Sequence, residues 1–244
     1  MGGRVLLTGG GTGGHLYPAL NLADALRRVR PDVELLYVGA RRGLEAGVLP
    51  ERDLPHRLLP VHPLRRSRPW RNWRLALRAP GVALGARRIG RGFDPDVVVG
   101  TGGYASGPMV LWARIAGRPL ALQEQNASPG LVTRWMAGAA DQIHLGFPEA
   151  AGSLSPGPDT EVHAFGNPVA PPGGPDTFDW PDTGRVALVV GGSQGARGLN
   201  ERLAADLREV RAWPTDLSLV WVTGRDHLEE VRERVGRLPF ADRI

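Results

Sequence analysis

The chain has 244 residues, 42% of them hydrophobic, which is enough apolar material for one large or two small domains. It has no cysteine, and its 30 basic residues are all arginine against 25 acidic ones, a formal charge of +5. Disulfides, thiolate catalysis, Schiff bases and lysine-bearing Walker loops are thereby excluded, and the six scattered histidines, with no i, i+4 pair, give no reason to expect a zinc site.

A strand-like run at residues 4–8 breaks directly into the glycines of residues 9–14. After a parallel strand, such glycines let backbone N–H groups approach an anion at a helix N-terminus, which carries about half a positive charge. The start of the chain holds neither an apolar signal segment nor a small-residue cleavage site, and no run approaches the roughly 20 apolar residues of a membrane span, so a cytoplasmic location is expected. Gly9, Gly11 and Gly14 also satisfy the dinucleotide pattern G-x-G-x-x-G. A NAD site would want an acidic residue after the next strand, predicted over residues 34–38; this chain offers Gly39, Ala40, Arg41 and Arg42, which suit only a 2′-phosphate and leave NADPH as an alternative. Between those strands, Leu16, Leu20, Ala23 and Leu26 make one stripe of a helix from about His15 to Val29. His15 at its start is either a plain first-turn residue or a general base, because a positive helix end favours the neutral imidazole that accepts a proton.

Further strands are predicted at residues 57–59, 96–99, 120–122 and 142–145. Residues 54–93 contain no Asp or Glu, while Arg57, Arg65, Arg66, Arg68, Arg71, Arg74, Arg78, Arg87, Arg88 and Arg91 fall there, interleaved with Trp70, Trp73, Leu75, Leu77, Val82 and Leu84. A solvated helix face, an RNA surface and an anionic membrane surface all fit this tract. A second glycine turn, residues 101–107, follows the strand at 96–99. Gln123, Glu124, Gln125 and Asn126 stand at the C-terminal end of another strand, where open parallel sheets bind ligands; Asn126 suits sugar hydroxyls, Glu124 can orient a catalytic group, and a solvated loop is the plain alternative.

The alternation predicts an α/β fold with a parallel sheet. Residues 166–184 are rich in Pro and Gly and read as a linker between a domain over residues 1–165 and a second one from residue 185. That second part opens with a strand at 186–190, a third glycine turn at 191–196, a strand at 218–223 and a helix from about Asp226 to Val235. Its sixty residues fall short of the roughly 100 of a complete doubly wound domain. Three such turns in one chain point to phosphate groups, as in a sugar nucleotide.

GGGTGGHLYPALNLADAL, TGGYASGP, QEQNASPG, GNPV and GGSQGARGLN, in this order, resemble the MurG family of bacterial N-acetylglucosaminyltransferases, which convert lipid I to lipid II in peptidoglycan synthesis. The resemblance covers essentially the whole chain. It implies a GT-B glycosyltransferase of two Rossmann-like domains, the acceptor lipid I bound mostly by the first and UDP-GlcNAc mostly by the second. By motif, Thr12, Gly13, Gly14, Asn126 and Ser193 would contact the donor. Gln194, Gly195, Ala196 and Asn200 would shape the donor phosphate loop, and Gly102, Gly103, Tyr104 and Glu124 would line the acceptor side. The implied reaction is an inverting displacement with His15 as the base and no metal or other cofactor. A basic, apolar patch including Arg65, Arg66, Arg68, Trp70, Arg71, Trp73 and Arg74 would dock the enzyme on the cytoplasmic face of the cell membrane, which favours the membrane reading of this tract over RNA.

Three features depart from the family. Gln123 stands where the family has a histidine, so no group there titrates, and Ala170 stands where an arginine usually follows GNPV. The chain also ends before the family's Gly-Ala-x-Thr-x-x-Glu helix and Gln-rich loop. Little transferase activity is therefore expected of these 244 residues alone, the second sheet is expected to expose an apolar edge, and a non-catalytic module binding lipid-linked pyrophosphate is the competing function.

Overall fold

The computed structural model describes residues 3–63, 73–170, 180–181, 184–192 and 195–244, the side chains at 74 and 76 excepted. Arg65, Arg66, Arg68, Trp70, Arg71, Ser193 and Gln194 lie outside the described residues, as does the side chain of Arg74. The chain divides into two units, Met1–Pro171 and Pro172–Ile244.

In the first unit, β1 (Arg4–Thr8), β2 (Glu34–Ala40), β3 (His56–Leu59), β4 (Val97–Gly100), β5 (Leu120–Glu124), β6 (Gln142–Leu145) and β7 (Glu161–His163) form one parallel sheet in the order β3-β2-β1-β4-β5-β6-β7. Around it run α1 (Gly13–Val29), α2 (Glu45–Val48), α3 (Trp73–Phe93), α4 (Gly107–Ile115) and α5 (Leu131–Met136). Side chains alternate between faces, as the pleat requires. Leu6, Val38, Val98, Leu122 and Ile143 pack with Ala86 of α3 and Met109, Val110 and Ala113 of α4. Val5, Leu7, Leu35 and Tyr37 pack with Leu16, Ala19, Leu20 and Ala23 of α1. Each such leucine contributes about 1.5–3 kcal/mol by leaving water. Strand order reverses between β1 and β4, so the loops leaving their C-terminal ends diverge and open a crevice there.

Several boundaries differ from those expected. The first helix starts at Gly13 rather than His15, because Thr12 is extended and its carbonyl accepts the N–H groups of His15 and Leu16. The three-residue β7 has no counterpart among the expected strands, because Glu-Val-His is too short to carry an alternation signal. The first unit also runs beyond residue 165 into the expected linker. There the Gly166 N–H donates to the Leu145 carbonyl, Asn167 Nδ2 donates to the Gln125 carbonyl and Asn21 Nδ2 donates to the Pro168 carbonyl.

The second unit pairs β8 (Arg185–Val190) with β9 (Leu217–Val222) in parallel, accompanied by α6 (Arg197–Glu209) and α7 (Leu228–Val235). Ala187, Val189 and Leu219 pack with Ala204, Leu207, Val231 and Val235. On the other side Val186, Leu188, Val190 and Val222 are exposed, so among the described residues the apolar surface lies along both edge strands and extends over one sheet face. The last helix begins at Leu228, after a 3-10 turn over Arg225–His227.

Candidate functional site

Three loops meet at the crevice between β1 and β4, one each from the ends of β1, β4 and β5. Their register is fixed by two hydrogen bonds between the same pair of residues: Thr101 Oγ1 donates to the His15 carbonyl at 2.7 Å, and His15 Nδ1 lies 3.0 Å from the Thr101 carbonyl. A carbonyl only accepts, so Nδ1 carries the proton. Gln125 Oε1 lies 3.1 Å from the same nitrogen, and its amide is oriented by Nε2 donating to the Gln123 carbonyl at 3.0 Å. In the neutral form of this ring the lone pair therefore stands on Nε2, and among the described residues Nε2 makes no hydrogen bond. That is the geometry of a general base with its orienting partners in place.

The second glycine turn locks against the first. A Cβ on Gly103, at φ +75°, would stand 2.1 Å from the Gly10 carbonyl oxygen, so only glycine permits this approach. The Tyr104 ring covers Gly11, and its phenol is pushed up by burial and then by the Glu45 carboxylate. Tyr37 beneath donates its hydroxyl to the Gly9 carbonyl at 2.9 Å; burial first and Glu45 second keep it protonated. The first turn is thus spent largely on protein neighbours. Gly11 N–H, offered above to a phosphate, donates to Glu45 Oε2 at 2.9 Å. This corrects the simple anion-cradle reading of residues 9–14 and takes from a dinucleotide pyrophosphate an N–H it would need.

The Gln123–Asn126 run is not a solvated loop: Gln123, Glu124 and Gln125 are buried, and only Asn126 is exposed. Glu124 accepts from Asn126 N and Nδ2 through Oε1, and from the Gly130 N–H at the start of α5 through Oε2. Its role here is to brace Asn126 and cap a helix, which a carboxylate does well. Gln123 turns its amide toward the Glu124 carbonyl. Thr12, Gly14 and Asn126 are exposed around His15, while Gly13 is buried. The arrangement also involves Thr101, Gln125, Asn167 and Glu45, none of which was assigned a role above; a threonine or glutamine that orients a distant histidine leaves no spacing signal.

In the second unit the turn after β8 is closed by the Gly191 N–H donating to the Val222 carbonyl and the Gly195 N–H donating to the Gly192 carbonyl. Asn200 is buried; Nδ2 donates to the Thr223 carbonyl at 2.8 Å and Oδ1 accepts from Trp221 Nε1 at 3.1 Å. Asn200 thereby ties α6 to the end of β9 and shapes the turn without reaching out of it. Ala196 is the extended residue that starts α6.

Away from the crevice, α3 and α4 enclose an apolar groove of about 450 Å³, lined by Leu75, Val82, Leu111, Trp112, Ile115 and Arg78. Trp73, Leu77, Leu84, Leu111 and Ile115 are exposed nearby. No described helix is long and apolar enough to cross a membrane.

Residues 5–145 match the glycosyltransferase family 28 N-terminal domain. The chain is 44% identical over 240 residues to the UDP-N-acetylglucosamine--N-acetylmuramyl-(pentapeptide) pyrophosphoryl-undecaprenol N-acetylglucosamine transferase of Moorella thermoacetica, covering 95% of this chain and 64% of that protein. The protein of the same name from Listeria monocytogenes serotype 4b is 34% identical over 99% of this chain and 67% of its own length. Among solved structures, MurG of Acinetobacter baumannii aligns with a TM-score of 0.67 at 25% identity, covering 97% of this chain and 63% of that one. S. aureus MnaA, solved with UDP, reaches 0.64 at 16% identity over 100% of this chain and 67% of its own, a likeness of fold. The chain thus spans 64% and 67% of the length of the two curated relatives described.

Proposed function

The chain belongs to glycosyltransferase family 28, and from that membership we propose that it serves the inverting transfer of N-acetylglucosamine from UDP-GlcNAc to the C4 hydroxyl of MurNAc in lipid I, giving lipid II for the cell wall. The observation that carries this reading is His15, held at the β1–β4 crevice with a proton on Nδ1 and with Nε2 unbonded among the described residues. Nε2 takes the proton of the C4 hydroxyl as that oxygen bonds to the anomeric carbon, and the bond from that carbon to the UDP oxygen breaks with inversion. Thr101 and Gln125 hold the ring, and their acceptor oxygens stabilise the imidazolium as it forms.

The turn around Gly102, Gly103 and Tyr104 serves the acceptor, with Glu124 as the brace behind Asn126. Donor contacts are assigned to Thr12, Gly13, Gly14 and Asn126 in the first unit and to the turn before α6 in the second, where Gly195 and Ala196 lead into the helix. The N-terminus of α6 favours the charge that develops on the leaving diphosphate. The apolar faces of α3 and α4, with the arginines of that tract, dock on an anionic membrane and give access to a lipid-linked acceptor from its cytoplasmic side.

The test is made in vesicles holding lipid I. This chain is expected to bind them in a lipid I-dependent way and to form lipid II slowly, if at all, beside the longer Moorella protein as a positive control. Replacing the residue that matches His15 in that longer protein by Ala is expected to cut turnover by about 10²–10⁴-fold with little change in substrate affinity. Vesicle binding indifferent to lipid I, or unchanged turnover in that variant, would remove the assignment.

A further inference from the structure

Glu45, the first residue of α2, is fully buried, and among the described residues its carboxylate is met by backbone rather than by a cation. Oε2 accepts the Gly11 N–H at 2.9 Å and Oε1 accepts the Ala40 N–H at 2.7 Å. Glycine clears the space around it: a Cβ on Gly10, Gly39 or Gly43 would stand 2.7, 2.7 and 2.0 Å from Glu45 side-chain atoms. Burying a carboxylate without a counter-ion is costly, and charge-assisted hydrogen bonds from backbone N–H groups offset that cost. The place it occupies is beneath the first glycine turn, whose N–H groups serve phosphate in dinucleotide folds.

We propose that Glu45 is a specificity-determining residue of this turn: its carboxylate fills the Gly10–Gly11 part from within and excludes a phosphate from those N–H groups. The same contact holds Gly11 under the Tyr104 ring and fixes the approach to α1, so that Gly10 and Gly11 frame His15 while Thr12, Gly13 and Gly14 are left for the donor. The sequence pattern G-x-G-x-x-G is then the pattern of a Rossmann turn kept for its shape, with the phosphate function supplied internally. This holds whether or not the chain transfers sugar.

The experiment uses amide NMR on the 244-residue chain with inorganic pyrophosphate and formate as probes. In the parent, the Gly10 and Gly11 amides are expected to be unmoved by pyrophosphate. In Glu45→Ala the Gly11 amide should shift, return toward its parent position when formate enters the vacated space but not with chloride at equal ionic strength, and respond to pyrophosphate. Glu45→Gln keeps the volume and removes the charge; should the Ala variant fail to fold, faster exchange of the Gly11 amide by at least about ten-fold supports the proposal. A parent whose Gly10 and Gly11 amides bind pyrophosphate would overturn it. So would an Ala variant that folds but responds to neither probe, or a Gln variant with unchanged Gly11 exchange. None of these outcomes depends on sugar transfer, so this proposal and the transferase reading fail separately.

Discussion

After β1, a Cβ on Gly11 would meet the Tyr104 ring at 2.3 Å and Gly10 is walled by Glu45, whereas after β8 a Cβ on Gly192 would meet no described atom within 4 Å. The two turns share a strand, a glycine-rich bend and a helix, yet the first is packed with protein side chains at Gly10 and Gly11, whereas the second is crowded only by its own backbone and has room among the described residues at Gly192. A glycine records that something approaches the backbone closely; it does not record whether that is a ligand or another part of the chain. In the first turn the close neighbours are Thr101, Glu45 and Tyr104. In the second, Gly195 and Gly191 are pressed by backbone, their Cβ positions lying 1.9 Å from the Thr223 carbonyl oxygen and 2.6 Å from the Ala196 nitrogen.

The largest effect that would sharpen this contrast is expected from Gly103→Ala. Its Cβ collides with the Gly10 carbonyl at a positive φ, so the first unit should lose about 3 kcal/mol or more, while hydrogen exchange in α6 and α7 stays as in the parent. Equal loss of protection in both units would break the separation. Next comes Asn200→Ala, which leaves the Trp221 indole N–H and the Thr223 carbonyl without their partner; about 1–3 kcal/mol should go from the second unit only, read from exchange in β9.

The smallest effect is a pH dependence confined to the first unit. Burial, and then the neighbouring His163, hold the His144 imidazole below its ordinary range, with Glu161 opposing more weakly. The unfolded chain then binds the proton more readily than the folded one, so the stabilisation is present above about pH 6.5 and declines as pH falls through the lower, folded value. Thermal unfolding of the first unit followed from about pH 7 to pH 5 should show this decline, and His144→Asn should flatten it.

Much of this arrangement is legible in the residues themselves. Apolar runs such as VLLT and LVV mark the strands, the Leu16–Leu20–Ala23 stripe marks α1, and His15 next to a glycine turn marks the start of that helix. What could not be read is what acts across the chain. Thr101 reaches His15 from 86 residues away and Gln125 from 110, and Glu45 looks like one more polar residue at the start of a short helix until the fold places Gly11 above it. Asn126 and Glu124 were singled out as equals, but the fold exposes one and spends the other's carboxylate entirely inside the loop. The Pro- and Gly-rich stretch after residue 165 has the composition of a linker, yet its first residues are tied down by Asn21 and Asn167.

The most direct test of the contrast between the two turns is an amide NMR titration of the 244-residue chain with UDP. The filled-turn account predicts shifts at Gly191, Gly192 and Gly195, with Gly10 and Gly11 unmoved. Shifts at Gly10 and Gly11 with Gly192 silent would mean that the first turn, and not the second, receives the nucleotide phosphate, and would contradict it.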